Sequence, residues 1–202
     1  SPHLQYFIYE WMLKMKMKMK MKYKAIVSGL LLALAGNSYA IDGRINFTGE
    51  IIKTACVINN GNDLDIELGT YSAAQFRAIG DTSPNIPFTL PLANCPVAQK
   101  VGDPIPHFRI WLEGDVVDAT HPNLLLLQNS FGDTMSDGVG VQILDAKTKN
   151  VMLLNTLPTM TYDINTAIMD VNLLANYKSY KAPNDITAGR ADANVNVTLD
   201  YR

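Results

Sequence analysis

The sequence is poor in the residues that enzyme sites most often use. Among its 202 residues are two cysteines and three histidines. His107 and His121 have no cysteine or carboxylate at the spacing of a zinc site. Nucleophile-elbow, P-loop and dinucleotide-binding motifs are missing as well. We therefore predict that the protein is not an enzyme and that it uses neither a metal nor another cofactor.

The chain also lacks an apolar run long enough to cross a membrane. The run Ala25–Ala35 has about half of the ~20 residues that a spanning helix needs. It follows a stretch in which six Lys recur at every second position, and it precedes the small residues Ser38 and Ala40. A basic region, a short apolar core and a small-x-small site are typical of a secretory signal. We predict cleavage after Ala40.

Basic residues are scarce once that leader is removed. The whole chain has 17 basic and 19 acidic residues. Six Lys and Glu10 precede residue 41, which leaves 11 basic against 18 acidic residues, a net charge of −7. An acidic surface without a basic patch argues against nucleic acid as a partner. We predict a leader over 1–40 and a single domain over 41–202, with no membrane span in the mature protein.

The two cysteines, Cys56 and Cys95, both lie in the predicted mature chain. An even number of cysteines in a secreted protein favours a disulfide, over two free thiols or half of a metal site. Closing a loop of about 40 residues stabilises the folded state by roughly 4 kcal/mol in the chain-entropy model. We predict a Cys56–Cys95 disulfide.

Two stretches alternate strictly between apolar and polar residues, which is typical of strands with one buried face. One stretch opens the predicted mature chain and the other closes the sequence. On the first, the apolar or small positions are Ile41, Gly43, Ile45, Phe47, Gly49 and Ile51. On the second, Gly189 is followed by Ala191, Ala193, Val195, Val197, Leu199 and Tyr201.

Between these ends, short strand patterns and turn signals recur, with few helical windows. Pro87 and Pro91 fall inside one such pattern, which predicts an edge or bulged strand there. About eight short strands in one domain predict an all-β sandwich. The internal strands are predicted within 64–68, 86–92, 107–113, 139–144, 151–154 and 164–180.

Several of these segments together resemble the chaperone–usher fimbrial subunits, the pilins of the type 1 and P pilus kind. The resemblance is carried by GRINFTGEIIKTAC (43–56), FTLPLANC (88–95) and GVGVQILD (138–145). The tail adds a glycine fourteenth from the end, alternating apolar residues and a penultimate tyrosine. Residues 96–137, including the run Leu124–Leu127, match less well.

The resemblance implies an incomplete immunoglobulin-like β-sandwich that lacks its last strand. Residues 41–52 would then be a donor strand, with Ile41, Gly43, Ile45, Phe47, Gly49 and Ile51 filling a groove in another subunit. The tail, from Gly189 to Tyr201, would be the acceptor strand that a periplasmic chaperone binds first. It further implies delivery to an outer-membrane usher, polymerisation with other pilin subunits, and a cell-surface fimbrium that supports adhesion. The alternatives are an adhesive tip subunit that binds a host glycan and a self-sufficient secreted β-sandwich.

Overall fold

A computed structural model of the protein describes residues 44–46, 55–128 and 132–201. The chain divides into two units, 1–48 and 49–202. In the first unit, the described residues 44–46 are exposed and have no regular secondary structure. The predicted leader therefore lies outside the described residues. None of the described residues forms a helix that is long and apolar enough to cross a membrane.

The described part of the second unit is built from two antiparallel sheets. The strands are β1 (Val57–Ile58), β2 (Ile86–Ala93), β3 (His107–Glu113), β4 (Val139–Asp145), β5 (Tyr162–Asp163), β6 (Met169–Ser179) and β7 (Asn196–Tyr201). A four-stranded sheet has the order β1-β2-β6-β4, and a three-stranded sheet has the order β5-β3-β7. The predicted all-β sandwich is thus confirmed.

The core lies between the sheets because inward-facing residues alternate along each strand. From β3, Phe108, Ile110 and Leu112 are almost completely buried. Leu173 of β6 and Leu92 of β2 meet them from the opposite sheet and are equally buried. The disulfide between Cys56 and Cys95 ties β1 to the end of β2, as predicted.

The proline-containing strand β2, predicted as an edge or bulged strand, lies second in its sheet, between β1 and β6. It pairs with β6 from Ile86 to Leu92, with Pro87 opposite Leu174 and Pro91 opposite Asp170. Among the described residues, its other edge pairs only at Leu92 and Ala93, with β1. The missing amide hydrogens of the prolines therefore cost few ladder hydrogen bonds.

The four-leucine run, which could not be assigned from periodicity, lies beside β4 and contributes buried side chains. Leu125 exchanges two backbone hydrogen bonds with Val141 of β4, at 2.8 and 3.1 Å. Leu124, Leu125 and Leu127 are each at most 5% exposed. Close packing needs glycine beneath them, since a Cβ on Gly140 would lie 2.6 Å from Leu124 Cγ. The next residue, Gln128, leaves the core and reaches the tail.

Four predicted strands differ in extent from those observed. Residues 151–154 form no strand and make only two isolated bridges, Val151 with Leu144 and Leu154 with Leu112. The predicted strand over 64–68 is wrong, because residues 63–70 form no ladder with any other described residue. The strand predicted within 164–180 begins only at Met169. In the tail, the ladder with β3 begins at Asn196, opposite Glu113. Because β3 ends at residue 113, none of the described strands pairs with residues 191–195 on that side.

Candidate functional site

An open cavity of about 1300 Å³ reaches the core between the sheets. Phe88, Leu90 and Leu173 of the four-stranded sheet line it from one side, and Ile110 and Leu112 of β3 from the other. Two extended segments, 61–70 and 191–197, complete its lining. We call this feature the groove, and we call residues 61–70 and the tail residues 191–201 its two rims. A sandwich that closed normally would have a strand between such segments.

The tail rim has the alternation that the sequence predicts. The apolar residues Ala191, Ala193, Val195, Val197, Leu199 and Tyr201 all pack against the core, and all six remain partly exposed. On one edge, β7 pairs with β3. On the other edge, the edge that faces the groove, none of the described residues pairs with 191–201. Within the described residues, the tail therefore has a neighbouring strand on one edge only.

The opposite rim is also extended and unpaired. Leu64, Ile66 and Leu68 alternate with acidic residues, and Ile66 and Leu68 are half-buried. Between positions 64 and 70, no backbone hydrogen bond joins the rim to another described part of the chain. Its acidic residues Asp63, Asp65 and Glu67 are exposed. The groove thus has an apolar interior and one acidic border.

Tyr201 fixes one end of the groove. Its hydroxyl accepts a hydrogen bond of 2.7 Å from the backbone N–H of Cys56, and its ring lies 6.1 Å from that of Phe108. Burial raises the pKa of this hydroxyl. Beside it, the Arg109 guanidinium donates two hydrogen bonds, of 2.7 and 3.1 Å, to one carboxylate oxygen of Asp200. The end of the tail is therefore tied to the disulfide-bonded segment and to β3.

At Gly189 the start of the tail packs directly against the backbone of residues 135–136, with no room for a side chain. A Cβ at this position would lie 2.3 Å from the carbonyl carbon of Met135 and 2.5 Å from the nitrogen of Ser136. Real Cβ atoms essentially never approach so closely, and backbone atoms cannot rotate out of the way as a flexible side chain can. Next to this contact, the Arg190 N–H donates to the Thr134 carbonyl, and the Ser136 N–H donates to the Arg190 carbonyl, both at 2.8 Å. Only glycine allows this approach.

Sequence reasoning missed the residues that support the tail from the side. The Tyr177 hydroxyl, on β6, donates to the Ala191 carbonyl at 2.7 Å, and burial raises the pKa of Tyr177. Gln128 contacts both Asp192 and Asn194. A tyrosine in the middle of a predicted strand and a lone glutamine carry no local signal for such contacts.

The predicted donor residues lie almost entirely outside the described residues. Of Ile41, Gly43, Ile45, Phe47, Gly49 and Ile51, only Ile45 is described, and it is 80% exposed. Their role as a donor strand remains a prediction. Within the described ranges, no three His, Cys, Asp or Glu side chains converge as metal ligands would. His121 instead lies 2.9 Å from the Asp118 carboxylate. Hydrogen bonds from Thr120 and His121 lower the pKa of Asp118 to about 2.

Two antiparallel sheets with a groove whose rims are unpaired among the described residues are the features of the structural class of the pilins. Residues 45–202 match the family model of the fimbrial proteins. The chain is 45% identical over 190 residues to the fimbrial-like protein YraH of Escherichia coli K12, covering 89% of this chain and 97% of that protein. It is 30% identical over 164 residues to the type-1 fimbrial A chain of Escherichia coli, covering 79% and 83%. This chain therefore belongs to the fimbrial protein family, a family of structural subunits and not of enzymes.

Solved structures show the same fold. The crystal structure of the P pilus rod subunit PapA matches with a TM-score of 0.57 at 18% identity, covering 74% of this chain and all of that one. A subunit in the structure of a chaperone–usher pilus matches with a TM-score of 0.56 at 20% identity, covering 79% and 95%. The incomplete immunoglobulin-like fold that the resemblance implies is thereby confirmed.

Proposed function

We propose that this protein is a structural subunit of a surface fimbria that polymerises by donor-strand exchange. The observation that carries the proposal is the groove, because it reaches the core and both of its rims are extended and unpaired. A strand placed between the rims would pair with the free edge of β7 and cover the half-exposed tail residues. Strand addition of this kind gives affinity through backbone hydrogen bonds and specificity through alternate side chains.

The strand that fits the groove chemically is the segment 41–52 of a second copy. Its apolar face alternates as the groove requires, and the glycines at 43 and 49 allow close approach of another backbone. Burying a large apolar side chain contributes about 1.5–3 kcal/mol, so the donor face contributes on the order of 10 kcal/mol. That equals a large part of the roughly 5–15 kcal/mol that stabilises a typical domain. A subunit with an empty groove is accordingly marginally stable and prone to aggregate.

That instability is the reason to include a chaperone and an usher in the proposal. A secreted subunit with an open groove needs a temporary strand before its final neighbour arrives. We assign this role to a periplasmic chaperone that pairs with the tail, followed by exchange at an outer-membrane usher. The subunit passes through the periplasm to the cell-surface fimbrium, where it supports adhesion. The relation to type-1 fimbrial proteins supports this route.

A synthetic peptide of residues 41–52 tests the proposal directly. Added to the mature protein (41–202), it is expected to bind and to raise the midpoint of thermal unfolding by 10 °C or more, because it fills the groove. Calorimetry and fluorescence anisotropy measure the two effects. A control peptide with Ile45 and Phe47 replaced by Ser keeps the length and charge and is expected to bind at least 100-fold more weakly. Equal binding of both peptides, or of neither, contradicts donor-strand exchange.

A further inference from the structure

Residues 191–195 of the tail rim are held in a different way from residues 196–201. Residues 196–201 are held by the ladder with β3, which ends where Glu113 pairs with Asn196. Residue 190 is held by backbone bonds to Thr134 and Ser136. Between these anchors, none of the described strands lies beside the rim. Yet an incoming strand must find the N–H and C=O groups of this stretch already aligned.

Gln128 provides that alignment with three hydrogen bonds. Its backbone N–H donates to the Asp192 carbonyl at 2.7 Å. Its side-chain oxygen accepts from Asn194 Nδ2 at 2.8 Å, and its Nε2 donates to the Asp115 carboxylate at 2.8 Å. Since a carboxylate only accepts hydrogen bonds, Asp115 requires the NH₂ end of the amide and leaves the oxygen for Asn194. The side chain is therefore held in one orientation.

The residues that hold Gln128 in place are themselves buried or hydrogen-bonded to the sheets. The preceding residue, Leu127, is 5% exposed, and Leu125 is 3% exposed and bonded to β4. Asp115 lies two residues after the end of β3, and its backbone carbonyl accepts a hydrogen bond from the Leu126 N–H at 2.8 Å. Gln128 therefore fixes residues 192 and 194 of the rim relative to β3 and β4.

We propose that Gln128 is a positioning residue for donor-strand binding, holding residues 192–194 of the acceptor rim in register with the groove. This inference rests on the proposed function and goes beyond it by naming a residue that does not itself touch the donor. Gln128 acts on the half of the rim that contains Ala193 and Val195. The half that contains Leu199 and Tyr201 depends on β3.

The Gln128→Ala variant is expected to bind the 41–52 peptide about tenfold more weakly than the wild type. The weakening should be local, which a double-mutant cycle detects. Combined with Val195→Ala, the loss is expected to be smaller than the product of the single effects, because the displaced rim no longer presents Val195 to the donor. Combined with Leu199→Ala, the two effects should multiply. Equal behaviour in both cycles contradicts a positioning role.

Exchanging the donor and the acceptor between Gln128 and Asp115 tests whether binding can be restored. Gln128→Glu places two carboxylates against each other and is expected to weaken binding at least tenfold. Adding Asp115→Asn restores a donor to that contact, so the double variant is expected to bind within about threefold of the wild type. Failure of the wild type to bind the peptide would overturn the proposed function together with this inference. Wild-type binding with unchanged Gln128→Ala binding would overturn the role of Gln128 alone.

Discussion

The Gly189→Ala variant is expected to lose donor-strand binding although it adds a single methyl group. That methyl would lie 2.3 Å from the backbone of Met135, so the start of the tail must move away from residues 135–136. Overpacking of this kind costs about 1–3 kcal/mol. Here the displacement also takes Ala191 out of line with the groove. We expect binding of the 41–52 peptide to fall by about 10- to 100-fold, measured by fluorescence anisotropy.

The neighbouring Ala188→Val variant is the control for that experiment. Ala188 lies one residue earlier and is exposed, so a larger side chain there meets solvent. Its binding is expected to equal that of the wild type. Wild-type affinity in the Gly189→Ala variant would show that the tail tolerates a shift at its start, and it would remove Gly189 from the acceptor site.

Deletion of residues 41–46 is expected to abolish incorporation into fibres while leaving the subunit's own groove intact. A subunit without Ile41 and Ile45 can accept a strand but cannot donate one, so it cannot fill the groove of a neighbouring subunit. Electron microscopy should show no fibres when this variant is the sole subunit. Co-purification from the periplasm should still recover it in a chaperone complex.

The control for the deletion changes only the polar face of the same segment. Replacing Asp42, Arg44 and Asn46 with Ser leaves every proposed groove-facing residue in place, and fibres are expected at close to the wild-type yield. Mass spectrometry of both variants should confirm cleavage after Ala40, so that a processing defect is not taken for a donor defect. Normal fibres from the deletion variant would show that residues 41–46 are not the donor.

The parts of the fold that local patterns specify were predictable. Strands such as β3 and β4 carry their alternation in sequence, and so does the tail, where residues two apart share a face whether or not a neighbour is present. The disulfide followed from the count of two cysteines. The tail's appearance as a single long strand was misleading, because alternation reports one buried face and not a hydrogen-bonded partner. Only the structure shows that β3 ends opposite Asn196.

The contacts that shape the groove were beyond the reach of sequence reasoning. Residues 64–68 alternate as a strand does, but they form no ladder with the rest of the described chain. The run Leu124–Leu127 is uniformly apolar and so has no period. Its position depends on Gly140, which lies more than ten residues away. Gln128 has a role only because tertiary packing brings Asp115 and Asn194 to its two ends.

The pairing of β7 with β3 also sets an order in time. Arg109 and Asp200, which face each other across this pair, are 91 positions apart, and Cys56 and Tyr201 are 145 apart. Contacts this distant in sequence form slowly, because a long loop must close before any of them contributes. The disulfide spans only 39 positions, so its shorter loop is expected to close before these contacts form. The three-stranded sheet needs residues 196–201 of the tail, so we expect this subunit to finish folding with the same strand that the proposed function assigns to the first step of assembly.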